Sequence, residues 1–182
     1  MRKLILKMAV SLDGFVGRPD GDLSWIFPYY DDEFTAYEVE LLRSAGEHAM
    51  GRQAYEDMAP YWQASSEPFA APMNEIPKVV FSSTLREATW PETRIAGGEL
   101  GAEVARLKAE DGGPLLAHGG ARFAQALTRL GLVDEYRLNV RPVALGAGLP
   151  LFGGAVDLEL VAAQSFPRGT VAVTYTARQE AP

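Results

Sequence analysis

Cysteine is absent from the 182-residue chain. That excludes disulfides, thiolate metal centres and cysteine nucleophiles together, and it fits a cytoplasmic location. Histidine occurs only at His48 and His118, too sparsely for a metal cluster, so no metal is expected. Basic residues are in the minority: 17 Lys and Arg against 24 Asp and Glu leave a formal net charge of -7. Duplex nucleic acid demands the opposite balance, so it is not expected as a partner. Long apolar runs are also missing. The opening Met1-Arg2-Lys3-Leu4-Ile5-Leu6-Lys7 keeps a charge within a few residues of every apolar stretch, so neither a signal peptide nor a membrane span is expected. What remains, 47% hydrophobic and 23% charged residues, suffices for a buried core, and the length suits one domain over 1–182.

The pattern along the chain alternates strands and helices. Residues 3–10 read as a first strand apolar enough to be buried on both faces. A loop rich in Gly and Asp runs from Ser11 to Trp25, long enough to suggest a functional role. Asp31 or Asp32 then caps a helix whose stripe is Phe34, Tyr37, Leu41 and Ala45, ended by Gly46. A short strand at 48–50 leads into a helix expected to stop near Pro60, and 61–77 reads as loop. Strands are expected at 78–81, 93–96, 115–118 and 136–141, and helices at 101–110 and after Gly120. Residues 142–154 read as a Gly/Pro-rich connection, and 158–165 with 171–177 as an antiparallel pair. This order predicts an α/β fold: a mainly parallel central sheet flanked by helices, with an antiparallel C-terminal edge.

In an open α/β sheet the ligand lies at the carboxyl ends of the strands. Three such ends are candidates. Gly51-Arg52-Gln53 opens a helix, where Gly51 permits close backbone approach and Arg52 offers a fork to phosphate. Ser82-Ser83-Thr84 offers hydroxyls, which equally suit a turn cap. Gly119-Gly120-Ala121 opens another helix, as a pyrophosphate site does, though a bare Gly-Gly also serves as a plain turn. Each motif alone reads as ordinary structure. Together, a pyrophosphate cradle and an Arg/Ser pair for a third phosphate are what NADPH requires.

These motifs, in this order, resemble dihydrofolate reductase: Met50-Gly51-Arg52 with Tyr55, Ser82-Ser83 after a strand, and Gly119-Gly120 before a helix. The resemblance implies a dihydrofolate-reductase-like fold in which Arg52, Ser82 and Ser83 hold the 2′-phosphate. Gln53 and Ala54 would lie near the pyrophosphate, with Gly119, Gly120, Ala121 and Arg122 facing it from the other side. Ala9 and Val16 would flank the nicotinamide. A narrower likeness is to the C-terminal reductase domain of the riboflavin-biosynthesis deaminase/reductase and its stand-alone relatives. It rests on Met8-Ala9-Val10-Ser11-Leu12-Asp13-Gly14, on Leu132-Val133-Asp134-Glu135-Tyr136-Arg137-Leu138, and on Pro142 through Phe152. The deaminase half, with its cysteine-bearing zinc signature, is absent.

The resemblance implies NADPH-dependent hydride transfer to a small heterocycle, first of all the riboflavin-type aminouracil. Dihydrofolate, or a non-catalytic NADP-binding module, is the alternative. Dihydrofolate reductases carry a carboxylate a few residues after a loop Trp. Here Asp31 follows Trp25 at the longer spacing, so Asp31 is either the proton donor or simply a helix cap. The segment from Asp20 to Glu47 holds eight acids and one base, Arg43, and offers little to a phosphate or a glutamate tail. A homodimer using 142–154 and the C-terminal strands is expected, as in the riboflavin relatives.

Overall fold

A computed structural model describes residues 1–178. Its spine is an eight-stranded sheet in the order β5-β4-β3-β6-β1-β7-β10-β9. The first six of these are β5 (Thr93–Ala96), β4 (Lys78–Phe81), β3 (Glu47–Gly51), β6 (Leu115–His118), β1 (Leu4–Ser11) and β7 (Glu135–Arg141). All five neighbouring pairs among them are parallel. β10 (Val171–Ala177) then pairs antiparallel with β7, and β9 (Leu158–Ser165) pairs antiparallel with β10 to end the sheet. The mainly parallel sheet with an antiparallel C-terminal edge is therefore as the sequence pattern indicated.

Alternation along β1 shows how the two faces are built. Leu4, Leu6, Met8 and Val10 join the core under α4 (Leu100–Ala109) and α5 (Ala121–Arg129), with Val104, Leu107, Ala124 and Leu127. Ile5 points the other way, into the core under α1 (Asp32–Arg43), α2 (Arg52–Ala64) and α3 (Ala70–Glu75), with Leu41, Leu42, Tyr55 and Met73. Side chains of a strand alternate faces, so Lys7 falls on that second side too.

Three local expectations need correction. α2 does not stop at Pro60 but continues to Ala64. Pro60 lacks an N–H for the Glu56 carbonyl, yet both residues are exposed, so water can take up the freed carbonyl. Residues 61–77 are not all loop, because α3 lies among them. The fully buried Lys78 secures the end of α3, its ammonium donating to the carbonyls of Met73 at 3.1 Å, Asn74 at 2.9 Å and Ile76 at 2.8 Å. The loops 11–25 and 142–154 are stitched together. β2 (Phe15–Gly17) pairs with β8 (Leu149–Pro150), and a 3-10 helix spans Ser24–Tyr29. No helix of the described residues is long and apolar enough to cross a membrane.

Candidate active site

The carboxyl ends of β4, β3 and β6 are neighbours, because those strands are consecutive in the sheet. The turns at Ser82-Ser83, Gly51-Arg52 and Gly119-Gly120 therefore meet along one rim. Two helices start there without a side-chain cap: α2 after Gly51 and α5 after Gly120. The other two long helices are capped, α1 by Asp31 and α4 by Glu99. Uncapped N–H groups at a helix start are donors in want of an anion. The backbone is held close at both turns. A Cβ on Gly51 would sit 3.1 Å from Cβ of Phe123, and Gly120 has φ of +89°, a conformation that disfavours any side chain. Gly119 packs against Met8 of β1, 3.8 Å from its Sδ to the position of a Cβ, which ties this rim to the end of β1.

The remaining rim residues divide by orientation. Arg52, Ser83 and Arg122 are exposed, and Arg122 forms no ion pair among the described residues. Arg52 pairs with Glu56 at 3.1 Å and Gln53 with Asp57 at 3.1 Å, both exposed i,i+4 contacts that cost little to exchange. The Ser82 hydroxyl accepts from the Leu85 N–H at 2.9 Å and the Thr84 N–H at 3.2 Å, so it closes the turn. Ala54 is buried, and its Cβ lies 3.9 Å from where a Cβ on Gly120 would sit. Ala9 lies on β1 opposite Asn139, and the buried Val16 lies on β2 beside β1. The rim thus carries two open helix starts and two exposed arginines, Arg52 and Arg122.

Beneath α1 on the same side lies a cavity of about 100 Å³ lined by Lys7, Tyr30, Glu38 and His118, with Trp62 and Phe69 among its apolar walls. Parallel registers place Lys7 between His118 and Arg137. The Lys7 ammonium meets a Glu38 oxygen at 2.5 Å, and Asn139 donates to the other Glu38 oxygen at 2.9 Å. Burial alone would lower the Lys7 pKa, but the Glu38 carboxylate outweighs it and the pKa is raised, so Lys7 stays charged. Burial raises the Tyr30 pKa and keeps its hydroxyl protonated.

The two histidines form a chain. His48 Nε2 lies 3.2 Å from the Pro72 carbonyl, and His48 Nδ1 lies 2.8 Å from His118 Nε2. Burial lowers the His48 pKa to about 4 and holds His118 well below its ordinary value. Both rings are thus neutral, and the carbonyl decides the tautomers. His48 must donate from Nε2, which leaves its Nδ1 to accept from His118 Nε2–H and His118 Nδ1 as an acceptor.

Residues 2–172 match the family model described as the RibD C-terminal domain. The chain belongs to the RibD C-terminal domain family. Its relatives include the uncharacterized protein YyaP of Bacillus subtilis (strain 168), 31% identical over 96% of this chain and 94% of that one. Among solved structures, a Thermotoga maritima diaminohydroxyphosphoribosylaminopyrimidine deaminase/5-amino-6-(5-phosphoribosylamino)uracil reductase aligns with TM-score 0.70 and 18% identity, over 97% of this chain and 57% of that one. Dihydrofolate reductase from Enterococcus faecalis, complexed with NADP(H), aligns with TM-score 0.64 and 16% identity over 97% of each chain. The fold is dihydrofolate-reductase-like, and the family's role is of the reductase type.

Within this RibD-family domain, Asp31 is fully engaged away from the cavity. Its Oδ1 accepts from the Phe34 N–H at 2.8 Å and its Oδ2 from the Arg168 N–H at 3.1 Å, so it caps α1 and pins the 166–170 turn to it. Of the two roles open to Asp31 in sequence, the cap is the one its contacts display. Sequence reasoning did not bring Lys7, Tyr30, Glu38 and His118 together as a site. The available signal was a charge where the pattern demands burial: Lys7 inside Leu4-Ile5-Leu6-Lys7-Met8, and Glu38 one turn from Phe34 on the buried stripe of α1. A larger groove of about 550 Å³ opens at the opposite end of the sheet, lined by Arg2, Glu47, Arg94 and Glu110. Its charges bind one another, which leaves it little chemistry to offer a ligand.

Proposed function

We propose that the protein is an NADPH-dependent reductase that delivers hydride to a C=N or C=O bond of a small heterocycle or sugar-like intermediate, with a riboflavin-type aminouracil as the first candidate. The observation that carries this is the pair of uncapped helix starts, α2 and α5, on adjacent strand ends beside a buried cavity with polar walls. In this proposal the α2 and α5 N–H groups hold the pyrophosphate, with Gln53, Ala54, Gly119, Gly120 and Ala121 as their backbone. Arg52, Ser82 and Ser83 serve the extra phosphate, Arg122 faces the pyrophosphate, and Ala9 and Val16 flank the nicotinamide. NADPH, when bound, supplies the hydride.

The chain's own part is to orient the heterocycle and deliver a proton. Tyr30 lines the cavity, and its hydroxyl donates its proton to the nitrogen or oxygen as the carbon is reduced. Lys7, whose charge lowers the Tyr30 pKa against burial, stabilises the phenolate left behind. Asp31 acts here as a positioning residue through its cap. A homodimer is also proposed, paired along the exposed β9 edge where Leu160 and Val161 lie bare.

NADPH oxidation is to be followed with 5-amino-6-(5-phosphoribosylamino)uracil and with dihydrofolate. Turnover of the aminouracil is expected. Turnover of dihydrofolate alone would favour the folate alternative, and turnover of neither, with NADPH bound, a non-catalytic module. Tyr30→Phe is expected to lower kcat on the order of 100-fold with the KM for NADPH unchanged. An unchanged kcat would remove Tyr30 from the chemistry.

A further inference from the structure

Two arginines of this protein present the same hydrogen-bonding edge with opposite outcomes. In Arg94, Nε and Nη2 each reach one oxygen of Glu47, both at 2.7 Å. This side-on fork is the guanidinium's best match to a planar pair of acceptors. Arg141, at the carboxyl end of β7, is more deeply placed, with no exposed surface at all. Its Nη1 donates to the Thr170 hydroxyl at 2.7 Å, but its Nε and Nη2, the same fork that Arg94 fills, meet no acceptor in hydrogen-bond geometry; the Tyr30 hydroxyl is the nearby polar group, close enough to raise the Arg141 pKa against burial. Among the described residues Arg141 makes no salt bridge. The two carboxylates in its electrostatic neighbourhood are already spent, Glu38 on Lys7 and Asn139, and Asp31 on two backbone N–H groups.

A buried cation with two unmet donors is costly, and proteins retain such a group where a ligand completes it. The surroundings dictate what kind of ligand. The guanidinium carbon lies 4.7 Å from the ring centre of Tyr30 and 4.4 Å from that of Phe34. Aromatic rings therefore occupy its neighbourhood and leave the in-plane edge as the means of recognition. Tyr30 also lines the cavity that holds Lys7 and Glu38, so the fork and the cavity share this one ring, and a ligand reaching both requires the ring to move aside. At about 100 Å³ the cavity is smaller than a usual ligand pocket of about 300 Å³ or more, so some such opening is needed for any heterocycle.

We propose that the Nε/Nη2 edge of Arg141 binds a planar anionic group of the ligand, a carboxylate or an equivalent delocalised pair of adjacent acceptors, reached past the Tyr30 ring that walls the cavity. Identifying that ligand with the reduced substrate rests on the reductase proposal above. The fork itself does not. It selects substrates that bring their own negative charge to Arg141, and it discriminates against neutral isosteres of the same shape.

The test uses benzoate as a planar carboxylate and benzamide as its neutral isostere, titrated into the intact protein without NADPH while the Arg141 Nε–H resonance is followed by NMR. The expected result is a saturable shift with benzoate, about tenfold tighter than with benzamide, and an affinity for benzoate lowered about tenfold in Arg141→Lys, which keeps the charge but not the fork. An Nε–H resonance that benzoate leaves unmoved would mean that solvent satisfies the fork, and the proposal falls. Equal benzoate affinity in Arg141→Lys overturns it too. Arg141→Met gives an independent readout. Removing an unpaired buried charge is expected to raise Tm while abolishing benzoate binding, whereas retained binding contradicts the assignment. A separate NADPH titration keeps the two proposals apart. Benzoate bound without NADPH affinity sinks the reductase and spares the fork, and the reverse pattern does the opposite.

Discussion

The two ends of the central sheet handle charge in opposite ways. At the amino end, Glu47 is buried and receives Arg94 on both oxygens and Arg2 at 3.2 Å, while Glu110 joins Arg94 and Arg106. These charged groups meet one another within the chain, although the buried Thr93 hydroxyl beside them has no partner. At the carboxyl end, α2 and α5 start without side-chain caps, and the Arg141 fork is unmatched. Internally satisfied polar groups contribute stability, and unsatisfied ones cost it. The amino end thus uses its polar groups to hold the fold, while the carboxyl end leaves polar groups open to the ligand proposed above.

The contrast predicts effects of decreasing size. Glu47→Ala removes the acceptor shared by Arg94 and Arg2. A loss of about 3 kcal/mol in urea unfolding is expected, at the low end for a broken buried pair because Arg94 is partly exposed. NADPH binding should survive, and a loss below 1 kcal/mol would show that the amino end is not the stabilising half. Gly120→Ala forces a side chain onto a φ of +89°. It is expected to cost about 1–2 kcal/mol and to weaken NADPH binding as well, since the strain falls on the α5 start. If stability drops with NADPH affinity untouched, that turn is only a turn.

A pH titration sharpens the same comparison at the centre of the sheet. His48 titrates at about 4 in the native state against an ordinary 6.5, and His118 is shifted the same way. Both are held neutral, so the unfolded chain binds more protons below 6.5. The stability these rings allow is fully present above 6.5 and is lost as pH falls from 6.5 toward 4. Urea midpoints should decline across that window, and His118→Asn should flatten the decline. The smallest effect belongs to Asp31→Ala, which removes the α1 cap at a cost of about 1 kcal/mol. Asp31→Asn, which preserves a cap, should then keep more of the stability than Asp31→Ala, and an equal loss in both would point to the carboxylate itself.

Much of the frame was legible in sequence because its signals are local. A strand, a Gly and a helix start can be seen in Met50-Gly51-Arg52 and His118-Gly119-Gly120 without knowing what they pack against, and the pair 158–165 with 171–177 follows from alternation. The errors came where packing overrides a local rule. Pro60 reads as a stop, yet it is tolerated inside α2 because it faces solvent. The strand-like pairing of Phe15 with Pro150 bridges two loops that lie far apart along the chain. The cavity was illegible for the same reason. Lys7, Glu38 and His118 come from β1, α1 and β6, and only the register that sets Lys7 against His118 brings them together. Arg141 is the extreme case, since an unmet fork is visible only once every neighbour is in place.

The proposed role of the open carboxyl end is to grip a phosphorylated dinucleotide. Titration of the protein with NADPH and with NADH, followed by nicotinamide fluorescence, tests it most directly. Saturable binding of NADPH, tighter than NADH and weakened in Arg52→Ala, is the predicted result. Failure of either nucleotide to saturate, or equal affinity for both, would contradict it.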